Sequence, residues 1–160
     1  MDEETRKILQ SLSRKEFHRI WEDLKSGKAL EGEEKVIAHI MKQHPEFHQQ
    51  FEMADVYADI DLQYDPDKEV DPFLHIAIHS IVENQLAAHD PPEVAEFFKR
   101  RKYKKETRHE TSHMVGLLIM EQIFEIVKSR VPFDLDRYKR DLEKYAGYNI
   151  ERFYDERMRE

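Results

Sequence analysis

Two histidines four residues apart on an α-helix project side by side from one face, a spacing that suits one metal ion or two adjacent ions. This chain has three such pairs: His44 with His48, His75 with His79, and His109 with His113. Nine histidines placed at random in 160 residues would give roughly half of one such pair. Carboxylates stand at matching intervals. Glu52 follows His48 by four, Glu83 follows His79 by four, and Glu106 precedes His109 by three, the Glu-x-x-His arrangement of di-metal helical bundles. With no cysteine in the chain, a metal site must be built from imidazole and carboxylate, which suits a divalent iron or zinc ion, with manganese also fitting, rather than calcium or magnesium. The expected ligands are His44, His48, His75, His79, Glu83, His109 and His113, with Glu52 or Glu106 as further donors. So many donors suit a dinuclear centre better than a mononuclear one, and an open coordination position would activate water or dioxygen.

A plainer reading stands beside each pair. A histidine on an apolar helix face satisfies itself as readily by hydrogen bonding within the core, since an unpartnered neutral polar group costs roughly 1–3 kcal/mol. His44 also reads as an N-terminal cap, because Pro45 biases the residue before it away from helical geometry. His18, His39 and His89 read as surface or cap residues. The run His109-Glu110-Thr111-Ser112-His113 matches H-E-x-x-H, the zinc-hydrolase pattern in which the glutamate activates a metal-bound water, although neither a third downstream ligand nor a strand accompanies it. The function classes are therefore three: a metal-binding helical protein of unknown substrate, a non-catalytic helical interaction module with a hydrogen-bonded histidine core, and a zinc-dependent hydrolase. In the second, the basic run 99–105 would dock a partner; otherwise that run reads as a solvated connection. The acidic stretch 59–69 lacks the glycine and spacing of a calcium loop, and no glycine-rich phosphate cradle or serine nucleophile is recognisable.

The elements that must position these residues are helical. Residues 72–90 are the longest segment almost free of charge, with Asp71 as cap, Pro72 at the first helical position and Pro91 with Pro92 as the stop. Phe73, Leu74, Ile76, Ile78, Ile81, Val82 and Leu86 spread around most of its circumference, which predicts a central buried helix. Before it, residues 3–26 read as two short helices divided by a Ser13–Glu16 capping box and closed by Gly27. A helix follows over 31–43, and another starts at Pro45 and carries His48, Glu52, Asp55 and Asp59 on one stripe. After it come a short piece over 93–98, a long helix over 105–130 and a charged tail whose last turns fray. Only four glycines and six prolines, and no period-two alternation, leave strands without support. The expected fold is all-α, a single-domain helical bundle. Residues 1–132 form the histidine-rich domain and 133–160 a charged helical extension.

Composition narrows the partners. Charged residues make up 38% of the chain and the net charge is −8, which argues against general affinity for nucleic acid or an anionic membrane. The longest apolar run, 114–120, is too short to span a bilayer, and the polar start MDEETRK carries no export signal. A cytoplasmic location follows by default. The expected partners are a metal ion and an unspecified small-molecule substrate, with a homo-oligomer also allowed.

The blocks His-Pro-Glu-Phe-His at 44–48, Asp-Pro-Phe-Leu-His-Ile-Ala-Ile-His at 71–79 followed by Glu83 and Gln85, Asp-Pro-Pro at 90–92, and the His109 and His113 pair resemble a bacterial family known as domain of unknown function 1841. The resemblance runs over residues 17–130. That family usually has asparagine at the position of Asp71, so this chain carries a charged cap there. The resemblance implies that the histidine motifs belong together, and it brings no activity with it.

Overall fold

The computed structural model describes residues 14–60, 62, 64, 65 and 68–159. Among them the chain is all-α, with nine α-helices, one 3-10 turn and no strand. The expected capping box at Ser13 and the apolar positions Ile8, Leu9 and Leu12 lie outside the described residues. Contacts among the described residues group into two compact units, one ending at Ile81 and the other starting at Val82.

In the first unit, α1 (Arg14–Lys25) buries Phe17, Ile20 and Trp21. Leu24 extends this stripe at i, i+3, i+4 and i+7 spacing, one amphipathic face. Gly27 ends the helix in the left-handed conformation, with the Lys28 amide reaching the Asp23 carbonyl and the Gly27 amide that of Leu24, the cap that a glycine supplies without strain. Helix α2 (Gly32–Lys42) adds Ile37, Ala38, Ile40 and Met41.

The single helix expected from Pro45 is in fact three pieces: a 3-10 turn (Pro45–Phe47), α3 (His48–Glu52) and α4 (Ala54–Asp59). Phe47 and Met53 leave α geometry, with φ near −100° and ψ near zero, so the stripe from His48 to Asp59 is not continuous. The breaks let Phe51 and Ala54 both reach full burial. Helix α1 packs against α2, α3 and α4. The core of the unit joins Phe17, Trp21, Met41 and Phe51 to Phe73 and Ile76 of the next helix.

That next helix, α5 (Pro72–Ala88), starts as expected. Asp71 Oδ1 accepts from the Phe73 and Leu74 amides at 2.9 Å and 3.1 Å, and Phe73, Ile76, Ala77, Ile78, His79, Ser80 and Val82 are buried. The helix ends two residues before the expected stop, because His89 takes a left-handed conformation and the Asp90 and His89 amides cap the Gln85 and Leu86 carbonyls. The division between the two units falls within this helix, after Ile81.

The second unit contains α6 (Pro92–Tyr103), α7 (Arg108–Ser129), α8 (Leu135–Tyr145) and α9 (Ile150–Met158). Helix α6 continues five residues past its expected end, so most of the basic run is its last turns rather than a connection. Arg101 explains why: it is wholly buried, its guanidinium forks onto Glu106 and its NH1 donates to the Tyr145, Ala146 and Tyr148 carbonyls. One arginine thus caps the C-terminus of α8, whose last carbonyls have no helical partner. The tail is ordered into two helices. Helix α8 packs against α6 and α7, the Tyr138 hydroxyl donates to Gln85 at 2.7 Å, and Phe153 of α9 is fully buried with its ring 5.1 Å from that of Tyr145. No helix among the described residues is long and apolar enough to cross a membrane.

Candidate metal centre

Three of the expected ligands meet in the first unit. Pro45 disfavours helical geometry at the residue before it, and His44 has φ −123° and ψ 65°. The chain therefore leaves α2 at His44, and the imidazole turns back so that Nδ1 donates to the Ile40 carbonyl at 2.9 Å. A carbonyl only accepts, so the proton is on Nδ1 and the His44 Nε2 presents a lone pair. That lone pair faces α5. His75 and His79 stand one turn apart there, with ring centroids 4.9 Å from each other and each 4.7 Å from the His44 ring.

The Nε2 atoms converge: His44 to His75 is 3.0 Å and His75 to His79 is 3.2 Å. His44 is fully buried, His79 is 5% exposed and His75 is half-buried. The Phe47 ring lies 5.3 Å from His75 and stacks on His44 at 5.8 Å, giving the cluster an apolar wall. Two ring nitrogens this close repel each other unless a proton or a cation lies between them, and a divalent cation can be shared by several imidazole nitrogens at once. The hydrogen bond from His44 Nδ1 to a backbone carbonyl is the kind of outer contact that orients metal-binding imidazoles and fixes their tautomer. The cluster is compatible with metal binding.

The other expected ligands are placed differently. The Nε2 of His48 is 3.0 Å from the Met41 carbonyl, and its ring lies 4.6 Å from that of Trp21, so His48 is not brought to the cluster. Glu52 accepts from Trp21 Nε1 at 2.7 Å and pairs with Lys25 at 2.6 Å. The Lys25 ammonium and then the indole hold its carboxyl below the usual range. Glu83 pairs with Arg108 at 2.6 Å, and Glu106 is held by Arg101. His109 and His113 face each other across one turn of α7, with ring centroids 4.3 Å apart, as their spacing predicts.

Glu110 has a role that the sequence reading missed. It is the third residue of α7, accepting from the Thr107 amide at 2.7 Å and hydroxyl at 3.0 Å, while Thr107 Oγ1 accepts from the Glu110 amide at 3.1 Å. This capping box holds its carboxyl below the ordinary value, first through the Thr107 amide and then through the hydroxyl. The signal was legible as Thr107-x-x-Glu110, two residues inside the stretch read as H-E-x-x-H. His18 approaches the Phe51 carbonyl at 3.3 Å, and His39 and His89 are exposed.

An all-helical chain with a knot of buried imidazoles is the class of protein that these observations define. The family model described as Domain of unknown function (DUF1841) matches residues 10–144, and the chain belongs to that family. The match extends through almost all of α8, beyond residue 130, where the sequence resemblance ended. No curated protein and no solved structure matches the chain.

Proposed function

We propose that this is a metal-binding protein in which His44, His75 and His79 hold one divalent transition-metal ion. The observation that carries the reading is the convergence of their three Nε2 atoms, at 3.0 Å and 3.2 Å, in a buried, aromatic-walled setting. All-imidazole ligation suits zinc or iron, with manganese less favoured because it prefers oxygen donors. With His48, Glu52 and Glu106 engaged by other groups, the donor count favours a mononuclear centre over the dinuclear one. A three-imidazole site leaves a position at which a metal ion would polarise a bound water or small ligand.

The test is elemental analysis of the untagged protein and of His79→Ala. About one metal atom per chain in the first and little in the second is the expected result; equal content in both removes His79 from the site. A non-catalytic interaction module with a hydrogen-bonded histidine core is the second reading, favoured by His48, whose ring nitrogen is already satisfied by a backbone carbonyl. It predicts no metal in either protein. The hydrolase reading draws no support from Glu110, whose carboxylate is engaged in the capping box.

A further inference from the structure

The basic run 99–105 is absorbed only in part by the fold. Arg101 is buried and structural, whereas Lys99 and Lys102 remain on the outer side of α6. There they line a cavity of about 450 Å³ together with Phe98, Glu106, Arg108 and Thr111. This volume lies within the range of small-molecule sites. The charges around it do not cancel. Glu106 is held by the buried fork of Arg101 and Arg108 pairs with Glu83 at 2.6 Å, but Lys99 and Lys102 make no ion pair among the described residues. Two ammonium groups, three residues apart and therefore on one helix face, are left to face solvent across the same cavity, in a chain whose net charge is −8.

The rest of the wall is apolar or flat. Phe98 is half-buried, and the Arg108 guanidinium lies over its ring, 5.7 Å from the centroid. The Thr111 hydroxyl is turned away, donating to the Thr107 carbonyl at 3.0 Å. The Thr107–Glu110 capping box closes the adjoining end of α7, so the positive potential comes from the side-chain cations rather than from helix amides. A dianion would gain from both lysines, and an aromatic body would cover Phe98 beside the guanidinium.

We propose that this corner between α6 and α7 binds a small aromatic phosphate ester, with Lys99 and Lys102 on the phosphate and Phe98 with Arg108 against the ring. This site is independent of the imidazole cluster. The probe is phenylphosphonate, which keeps the ring and the dianion and cannot be hydrolysed, titrated calorimetrically at low salt into chelator-treated protein so that no metal takes the phosphonate. Saturable one-to-one binding is expected. It should weaken about tenfold or more in Lys99→Gln/Lys102→Gln, since each removes a unit charge near the dianion, and weaken in Phe98→Ala, with Lys128→Gln as an unaffected control. Both lysines are exposed, so the double variant keeps its fold. Absence of saturable binding, or equal binding in the double variant, overturns the proposal. So does binding of a single-stranded oligonucleotide or an anionic vesicle that is lost in Lys104→Gln/Lys105→Gln yet retained in Lys99→Gln/Lys102→Gln, which would make the run a diffuse cationic patch.

Discussion

Stripping the metal and deleting a ligand should have one shared effect on this protein, and its size follows from the geometry. Nε2 separations of 3.0 Å and 3.2 Å are short enough that His44, His75 and His79 would hold one ion at an ordinary metal–imidazole distance of about 2.1 Å. X-ray absorption at the metal edge should therefore show three or four nitrogen neighbours at about 2.0–2.1 Å with imidazole scattering. Binding only to the folded chain at a hundredfold excess over Kd adds about 2.7 kcal/mol, equivalent to about 5–10 °C in melting midpoint for a chain of this length. Calorimetry with and without chelator should show that shift in the wild type and none in His79→Ala. His79→Gln serves as the companion variant, keeping more of the side-chain volume at a site that is 5% exposed. A hydrogen-bonded core makes the opposite pattern, in which His79→Ala is destabilised while chelator changes nothing in either protein. A wild-type midpoint indifferent to both chelator and added zinc or iron refutes the metal reading.

Three further outcomes check other parts of the structure. Glu106→Gln leaves the wholly buried Arg101 guanidinium without its carboxylate and should cost about 3–5 kcal/mol in urea unfolding; a loss under about 1 kcal/mol would mean that the carbonyls at the end of α8 hold the guanidinium without it. Glu110→Gln should leave metal content unchanged. Because its carboxyl is held below the ordinary value, the stability it contributes is present above the unfolded-state range and is lost as pH falls through the lowered value, so variant and wild type should converge in acid; metal loss in this variant would return Glu110 to the site. Burial raises the Tyr138 hydroxyl far above its ordinary value, so the native state keeps a proton that the unfolded chain releases. Its contribution is complete below about pH 10 and declines above it, and urea midpoints should fall less steeply between pH 9 and 11 in Tyr138→Phe.

Helix 72–88 was legible because its signals are local and agree: a capping aspartate, a proline where no amide is needed, and apolar residues on nearly every face. The 3-10 turn and the breaks at Phe47 and Met53 were not, because short helical pieces share the periodicity of one long helix and differ only in backbone angles at single residues. The basic run misled for another reason. Six of the seven residues from Lys99 to Lys105 are cationic, a pattern that normally marks a solvated face, yet the carbonyls at the end of α8 need a donor and Arg101 turns inward to meet them.

The imidazole cluster shows where spacing stops being informative. Pairing histidines by four residues assumes an unbroken helix, and that holds for His75 with His79 and for His109 with His113. It does not hold for His44 with His48, because Pro45 lies between them and forces His44 out of helical geometry. The same proline that dissolves the expected pair creates the cluster. Freed from α2, the His44 ring can bond back to Ile40 and aim Nε2 at α5, while His48, restarted on α3, turns to the Met41 carbonyl and the Trp21 ring. The motif His-Pro-x-x-His is thus two functions in five residues, one imidazole for the cluster and one for the core. Substituting Pro45 by alanine, which would permit a continuous helix through both histidines, should therefore weaken the metal site even though no ligand is changed.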